Sequence, residues 1–124
     1  MTAKSNEFEL SEELLRLCEL CPRKCRIDRL AGEVGFCGIG AEAVVASAGP
    51  HFGEESVLVG RGGSGAIFLA GCNLKCVSCQ NCDISHSDTG AKVSPDKLAE
   101  LMLSLQARGC ENINSVHQHM WQCK

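Results

Sequence analysis

The chain has 124 residues, of which 44% are hydrophobic, and a formal net charge of −3. This composition is typical of a soluble globular chain with one domain or part of one. Twelve basic residues against fifteen acidic ones, without a basic run, exclude an electrostatic nucleic-acid binder. No apolar stretch approaches the ~20 residues of a membrane helix, and the acidic N-terminus has no hydrophobic signal segment. We therefore expect a cytoplasmic protein with no nucleic-acid and no membrane partner.

The first predicted element is a helix from Ser11 to about Cys18, with Ser11 as its N-cap and Glu12 and Glu13 in its first turn. A loop-rich segment follows it. The chain contains ten cysteines, and clustered thiols in a reducing cytosol indicate metal binding or catalysis more often than disulfides. Four of them lie at the end of the helix and in the loop-rich segment: Cys18, Cys21, Cys25 and Cys37.

The spacing of these four cysteines can close a tetrahedral metal site, and the neighbouring Arg23, Lys24 and Arg26 would favour their thiolate forms. The alternative is a loop of unligated thiols. If a metal is bound, we prefer zinc to a second iron–sulfur cluster.

Residues 43–47 predict a short strand, and the following "GPHFGEE" predicts a turn. Gly60, Gly62 and Gly65 match the spacing G-x-G-x-x-G, but the dinucleotide fingerprint needs a strand before it and a helix after it. Here the apolar "AIFLAG", residues 66–71, predicts a buried strand directly afterwards. We therefore interpret the glycines as a flexible approach to a strand rather than a phosphate site.

Three further cysteines, Cys72, Cys76 and Cys79, lie in the predicted loop after this strand, residues 71–82. Their C-x-x-x-C-x-x-C spacing lets one compact loop point three sulfurs inward, and thiolates suit iron–sulfur clusters or zinc. Three protein ligands would leave one iron of a cubane open, where a small molecule can bind and react. The alternatives are three small buried hydrophobes, or zinc with Cys82 as the fourth ligand.

A second helix is predicted from its start signals, with Ser94 as the cap, Pro95 in the first position and Asp96 in the first turn. It ends at Gly109, and "NINSV", residues 112–116, predicts a strand. The order strand, loop, helix, strand predicts one βαβ unit with a parallel sheet. The apolar face of the helix is formed by Leu98, Leu101, Met102 and Leu105.

The segments "LCPRKCRIDRLAGEVGFCG", "GSGAIFLAGCNLKC", "CQN" and "LAELMLSLQARGCENIN" together resemble the radical S-adenosylmethionine superfamily, in the branch related to the activating enzymes of pyruvate formate-lyase. The resemblance covers roughly residues 16–115. It implies that Cys72, Cys76 and Cys79 each bind one iron of a [4Fe–4S] cluster, whose fourth iron chelates S-adenosyl-L-methionine. One electron then splits the sulfonium C–S bond and gives a 5′-deoxyadenosyl radical.

The same resemblance implies an electron donor such as flavodoxin or ferredoxin, and a protein substrate. The chain departs from the family at Ser78, where an aromatic residue usually packs near the adenine. This departure puts the normal nucleoside contact in question.

The fold that the resemblance implies is α/β. Residues 1–59 would form an N-terminal helix and cysteine-rich region, and residues 60–124 the start of the radical S-adenosylmethionine core. A full eight-unit βα barrel takes about 250 residues, so we expect only the first βαβ unit of a partial (β/α) barrel. A two-stranded parallel sheet would leave both edges and most of one face unburied. We therefore expect a C-terminally truncated, inactive member; the alternative is a non-catalytic zinc- or iron–sulfur-binding module.

Residues 116–124 fit a shifted reading frame. Back-translation from the third base of the Val116 codon permits Thr-Pro-Thr-His, which similar family members carry after "NIN". We expect one lost base near this codon. The remaining cysteines (Cys82, Cys110 and Cys123) fit no site, and the four histidines (His51, His86, His117 and His119) are expected to be surface residues.

Overall fold

The structure is a computed structural model and describes residues 2–118, with the side chains of residues 9–116. The described chain folds into four helices and four strands. None of these helices combines the length and the apolar character needed to cross a membrane. In chain order the elements are α1 (Thr2–Arg16), β1 (Ala43–His51), α2 (Ser56–Val59), β2 (Ser64–Cys72), α3 (Cys82–Ser85), β3 (Ala91–Val93), α4 (Pro95–Ala107) and β4 (Asn112–Gln118).

The strands form one mixed sheet in the order β3-β1-β2-β4. β2 and β4 are parallel and are connected through α4, which confirms the predicted βαβ unit. The expected two-stranded sheet is wrong, because β1 pairs antiparallel with both β2 and β3. The sheet of the described residues is open, so the partial barrel stays a prediction.

β1 is longer than predicted and contains part of the expected turn. Gly49, Pro50 and His51 pair with residues 64–66 of β2. Pro50 is compatible with this position although it donates no backbone hydrogen bond, because β3 pairs with β1 only at residues 43–45 and β1 is half-buried at Pro50. The chain therefore turns only after His51.

The predicted second helix is confirmed. The side chain of Ser94 accepts a hydrogen bond from the backbone N–H of Lys97, and Gly109 follows the helix with a φ of +87°. Leu105 is 1% exposed and packs with Ile67 and Leu69 of β2. The rest of the predicted apolar face joins the same core: Leu98, Leu101 and Met102.

α1 begins nine residues earlier than predicted, so Ser11 lies inside the helix and not at its start. The reason is that residues 2–10 contain neither glycine nor proline, and serine is only mildly unfavourable in a helix interior. After the helix the chain folds back on itself. The N–H of Arg29 donates to the carbonyl of Leu15, and the N–H of Cys18 donates to that of Ile27.

The glycine-rich segment before β2 follows a helix and precedes a strand, which is the reverse of the dinucleotide fingerprint. A side chain on Gly62 would collide with the backbone carbonyl of Gly109. The Glu111 carboxylate accepts hydrogen bonds from the N–H groups of Arg61 and Gly62 at 3.2 and 3.4 Å. The glycines therefore allow the loop before β2 to pack closely against the loop after α4.

The N-terminal region packs against the C-terminal half of β2. Cys37 and Ile39 share a small core with Val44 and Ala70. Gly71 has a φ of +80°, and a Cβ at this position would lie 2.8 Å from the carbonyl oxygen of Cys37 and would collide with Ile39. The cysteine-rich region thus lies directly beside the end of β2, where Cys72 stands.

Candidate metal centre

Cys72 is the last residue of β2 and is 3% exposed. The backbone N–H of Leu74 donates a hydrogen bond to its Sγ at 3.3 Å. The first thiol of the loop is therefore held rigidly by the strand.

The other two thiols lie on the irregular segment between β2 and α3. Cys79 is half-buried, and its Sγ lies 3.3 Å from the Oγ of the fully buried Ser85 in α3. Cys76 is exposed and follows Lys75, whose φ of +50° turns the chain. Cys72 and Cys79 are thus anchored to regular elements, and Cys76 lies on the turn between them.

The three thiols are not gathered into a finished site. No three of the cysteine, histidine, aspartate and glutamate side chains described by the structure lie close enough together to hold a metal ion. The loop from residue 73 to residue 81 belongs to no helix or strand, so Cys76 can move inward without breaking a sheet ladder. Such movement is expected, because metal binding commonly completes local folding.

Asn73 provides a test of whether this loop fits a bound group. The residue is 5% exposed, and its Oδ1 atom is buried without a hydrogen-bond partner in the described part of the chain. A buried polar atom without a partner is unfavourable by about 1–3 kcal/mol. Asn73 therefore leaves a hydrogen-bond acceptor without a partner directly after Cys72. Together with three thiols, which are soft metal ligands, this acceptor fits a loop that receives a bound group.

Two cations from different parts of the chain border the loop. The guanidinium of Arg23 donates to the backbone carbonyl of Asn73 and lies 3.5 Å from the ring centroid of Phe36. The Lys75 ammonium lies 5.0 Å from the same centroid. These contacts fasten the N-terminal region to the loop.

The N-terminal cysteines are arranged around a residue that the sequence analysis missed. Arg29 is 3% exposed, and its guanidinium donates to the Sγ atoms of Cys18 at 3.1 Å and of Cys37 at 3.4 Å. Burial works to lower the pKa of Arg29, but its hydrogen bonds to Cys18 and Cys37 outweigh burial and raise the pKa above its ordinary value. Nothing in the sequence distinguishes Arg29 from the exposed Arg23, Lys24 and Arg26.

The structure thus brings together Cys18 and Cys37, through Arg29. Cys21 is buried and Cys25 is half-buried, but the four sulfurs do not form a closed metal site as they stand. The prediction of a metal at these residues stays a prediction.

The remaining candidates take no part in either cluster. Cys110 is half-buried and packs in the core under α4, as expected of a small hydrophobe. Cys82 and His86 are exposed at the two ends of α3. His51 is half-buried, with its Nε2 3.9 Å from Glu54 Oε1, and its ring lies edge-on to Phe68. The predictions for His117, His119 and Cys123 lie outside the described side chains, and the shifted reading frame of residues 116–124 stays a prediction.

The segment that contains the cysteine loop is similar to known proteins. Residues 58–116 match the sequence model of a family described as a 4Fe-4S single cluster domain. An uncharacterized protein of Methanocaldococcus jannaschii is 43% identical over 80 residues, which cover 64% of this chain. The chain spans only 22% of the length of that relative. No solved structure matches significantly.

The family match supports an iron–sulfur protein, and Cys72, Cys76 and Cys79 lie within the matched residues. The match supports the expectation of an iron–sulfur cluster. The match says nothing about the reaction that the cluster would support.

Proposed function

We propose that this chain binds a [4Fe–4S] cluster through Cys72, Cys76 and Cys79 and that the cluster is of the radical S-adenosylmethionine type. The observation that carries the proposal is the match of residues 58–116 to a single-cluster domain, within which these thiols occupy one loop of eight residues. That loop stands at the C-terminal end of β2, in a parallel β2–α4–β4 unit. Ligand sites in parallel α/β sheets lie outside the carboxyl ends of the strands.

Each residue of the loop has a distinct role in this proposal. Cys72 fixes the position of the site because it belongs to the sheet, and Cys79 is oriented by Ser85. Cys76 turns inward to complete a set of three ligands. Lys75 and Arg23 offset the negative charge of the thiolates, and Asn73 offers its unpaired Oδ1 to a donor in the site.

Held by Cys72, Cys76 and Cys79, a reduced cluster with one open iron would supply the single electron needed to cleave the sulfonium C–S bond of bound S-adenosyl-L-methionine. The activating-enzyme role, the electron donor of the flavodoxin or ferredoxin kind and the protein substrate belong to this proposal as well. The cytoplasmic location also remains an expectation.

Anaerobic reconstitution with iron and sulfide tests the cluster. We expect about four iron and four sulfide per chain, with the brown colour and thiolate absorbance of such clusters. Cys76→Ala should abolish loading, and the matched control Cys82→Ala, which changes another exposed cysteine three residues after Cys79, should not. Unchanged iron content in Cys76→Ala would refute the ligand assignment. Colourless protein with stoichiometric zinc would favour the non-catalytic zinc module.

Electron paramagnetic resonance of the reduced cluster tests the second half of the proposal. Adding S-adenosyl-L-methionine should change the signal if it binds the open iron. An identical signal with and without S-adenosyl-L-methionine would contradict the radical chemistry and would favour a non-catalytic iron–sulfur module. The expected inactivity of the chain is measured in the same sample, where accumulation of 5′-deoxyadenosine would contradict it.

A further inference from the structure

The buried guanidinium of Arg29 is the starting point. Its Nε and Nη2 groups donate to the sulfurs of Cys18 and Cys37, and its Nη1 group donates to the carbonyls of Ile39 and Gly40 at 2.8 and 3.1 Å. A neutral thiol is a weak acceptor, and a buried charge is favourable only when it is paired. The guanidinium therefore fixes the positions of the Cys18 and Cys37 sulfurs relative to each other.

Two facing turns hold the four cysteines. In the first turn the N–H of Lys24 donates to the carbonyl of Cys21, and that of Arg26 donates to the carbonyl of Cys18. Lys24 and Arg26 both have positive φ values, +44° and +56°, which fold the chain tightly around Cys25. A tight fold here returns Cys25 toward the first two cysteines.

The second turn carries Cys37. The N–H of Gly38 donates to the carbonyl of Gly35, which closes the turn. A Cβ on Gly35 would lie 2.9 Å from the Sγ of Cys25, so the thiol of the first turn lies against the backbone of the second. Cys25 therefore lies beside the turn that carries Cys37, and Arg29 joins Cys37 to Cys18.

We propose that Cys18, Cys21, Cys25 and Cys37 bind one zinc ion, with Arg29 as a positioning residue that donates to two of the ligand sulfurs. Four thiolates and Zn²⁺ carry a net charge of −2, and the buried guanidinium offsets one unit of it. Binding draws the four sulfurs together, in the way that metal binding completes the fold of other cysteine-rich loops.

The geometry favours a single ion over a second cluster. A Zn–S bond of about 2.3 Å in a tetrahedral site places neighbouring sulfurs only about 3.8 Å apart. Two neighbouring N–H groups of the Arg29 guanidinium donate to the sulfurs of Cys18 and Cys37. A guanidinium binds both oxygens of one carboxylate in the same bidentate way, which requires the two acceptors to lie close together. A cubane sets its cysteine sulfurs farther apart because each sulfur binds a different iron.

The test uses the full chain with Cys72, Cys76 and Cys79 all changed to Ala, so that the cluster loop contributes no metal. Zinc analysis after supplementation should give about one ion per chain. Changing Cys18 and Cys37 to Ser in this background should remove it, and changing Cys82 and Cys110 to Ser should not. The proposal would be overturned if the triple Ala variant bound no zinc. It would also be overturned if zinc were retained after Cys18 and Cys37 were changed to Ser. Iron and sulfide uptake at these cysteines would also overturn it, in favour of a cluster.

Cobalt substitution tests the role of Arg29 and gives a readout even where a variant is less stable. Co²⁺ bound by four thiolates should show intense sulfur-to-metal charge-transfer bands. Arg29→Met should shift these bands and weaken zinc binding about tenfold or more, as expected for a group that orients a metal ligand. Arg29→Lys, which keeps the charge, should restore part of the affinity. Unchanged bands and affinity in Arg29→Met would contradict the positioning role.

Discussion

Gly71 shows how closely the N-terminal region approaches the cysteine loop at the scale of single residues. It adjoins the proposed ligand Cys72 and leaves no room for a side chain between β2 and the Cys37–Ile39 segment. Its positive φ adds a second reason for glycine at this position. Packing and backbone conformation therefore both favour glycine here.

We predict that Gly71→Ala destabilises the chain by more than about 2 kcal/mol, because left-handed strain of about 1–2 kcal/mol adds to the collision with Ile39. Denaturant unfolding measures the change. Gly109→Ala is the matched control, since Gly109 also has a positive φ but a Cβ added there would meet no atom within 4 Å. Equal losses in the two variants would show that the close packing contributes nothing.

The sequence predicts which cysteines are candidate ligands better than it predicts which residues surround them. The spacing of Cys72, Cys76 and Cys79 identifies a candidate ligand set, because ligand spacing is a local property. The burial of Arg29 depends on contacts with residues eight to eleven positions away. A tertiary contact of that kind leaves no pattern in a single sequence.

The helices illustrate the same difference at the scale of whole elements. The prediction of α4 is confirmed because its start is set by a local cap and its core face by a helical repeat. The predicted α1 starts nine residues too late, because a serine followed by two glutamates looks like a cap even inside a helix. The pairing of β1 and β3 is missed because β3 has only three residues and neither strand alternates strongly between buried and exposed positions.

We predict that Ser94→Ala lowers the free energy of unfolding by about 1 kcal/mol, because it removes the hydrogen bond from the N–H of Lys97 to the cap. Urea unfolding followed by circular dichroism measures the loss. Ser104→Ala, on an exposed turn of the same helix, should be neutral or slightly stabilising. A loss in Ser104→Ala as large as in Ser94→Ala would rule out the cap as the cause.

At the scale of the whole molecule, contacts around Phe36 join the N-terminal region to the cysteine loop. The ring lies beside Arg23, which also holds the carbonyl of Asn73, and beside Lys75. Cation–π contacts of this kind contribute about 0.5–1 kcal/mol at exposed positions. From this position we expect the N-terminal region to shield the loop from solvent.

We predict that Phe36→Ala makes a reconstituted cluster bleach several-fold faster in air, because the loop loses its cover. The decay of the iron–sulfur absorbance measures the rate. Phe52→Ala is the control, since Phe52 is also exposed but packs against Gly63 in another part of the chain. A bleaching rate in Phe36→Ala equal to that of the unaltered chain would show that the contact offers no protection.

The two edges of the sheet differ in a way that affects handling of the protein in solution. One edge is β3, which has only three residues; the other is β4, which has seven and pairs with β2 alone among the described strands. A short edge strand offers few unpaired backbone groups to another chain, whereas a long edge strand offers many and can pair with it. As the protein is concentrated, intermolecular strand addition along β4 should be the first route to aggregates. Dilute samples are therefore preferable for spectroscopy.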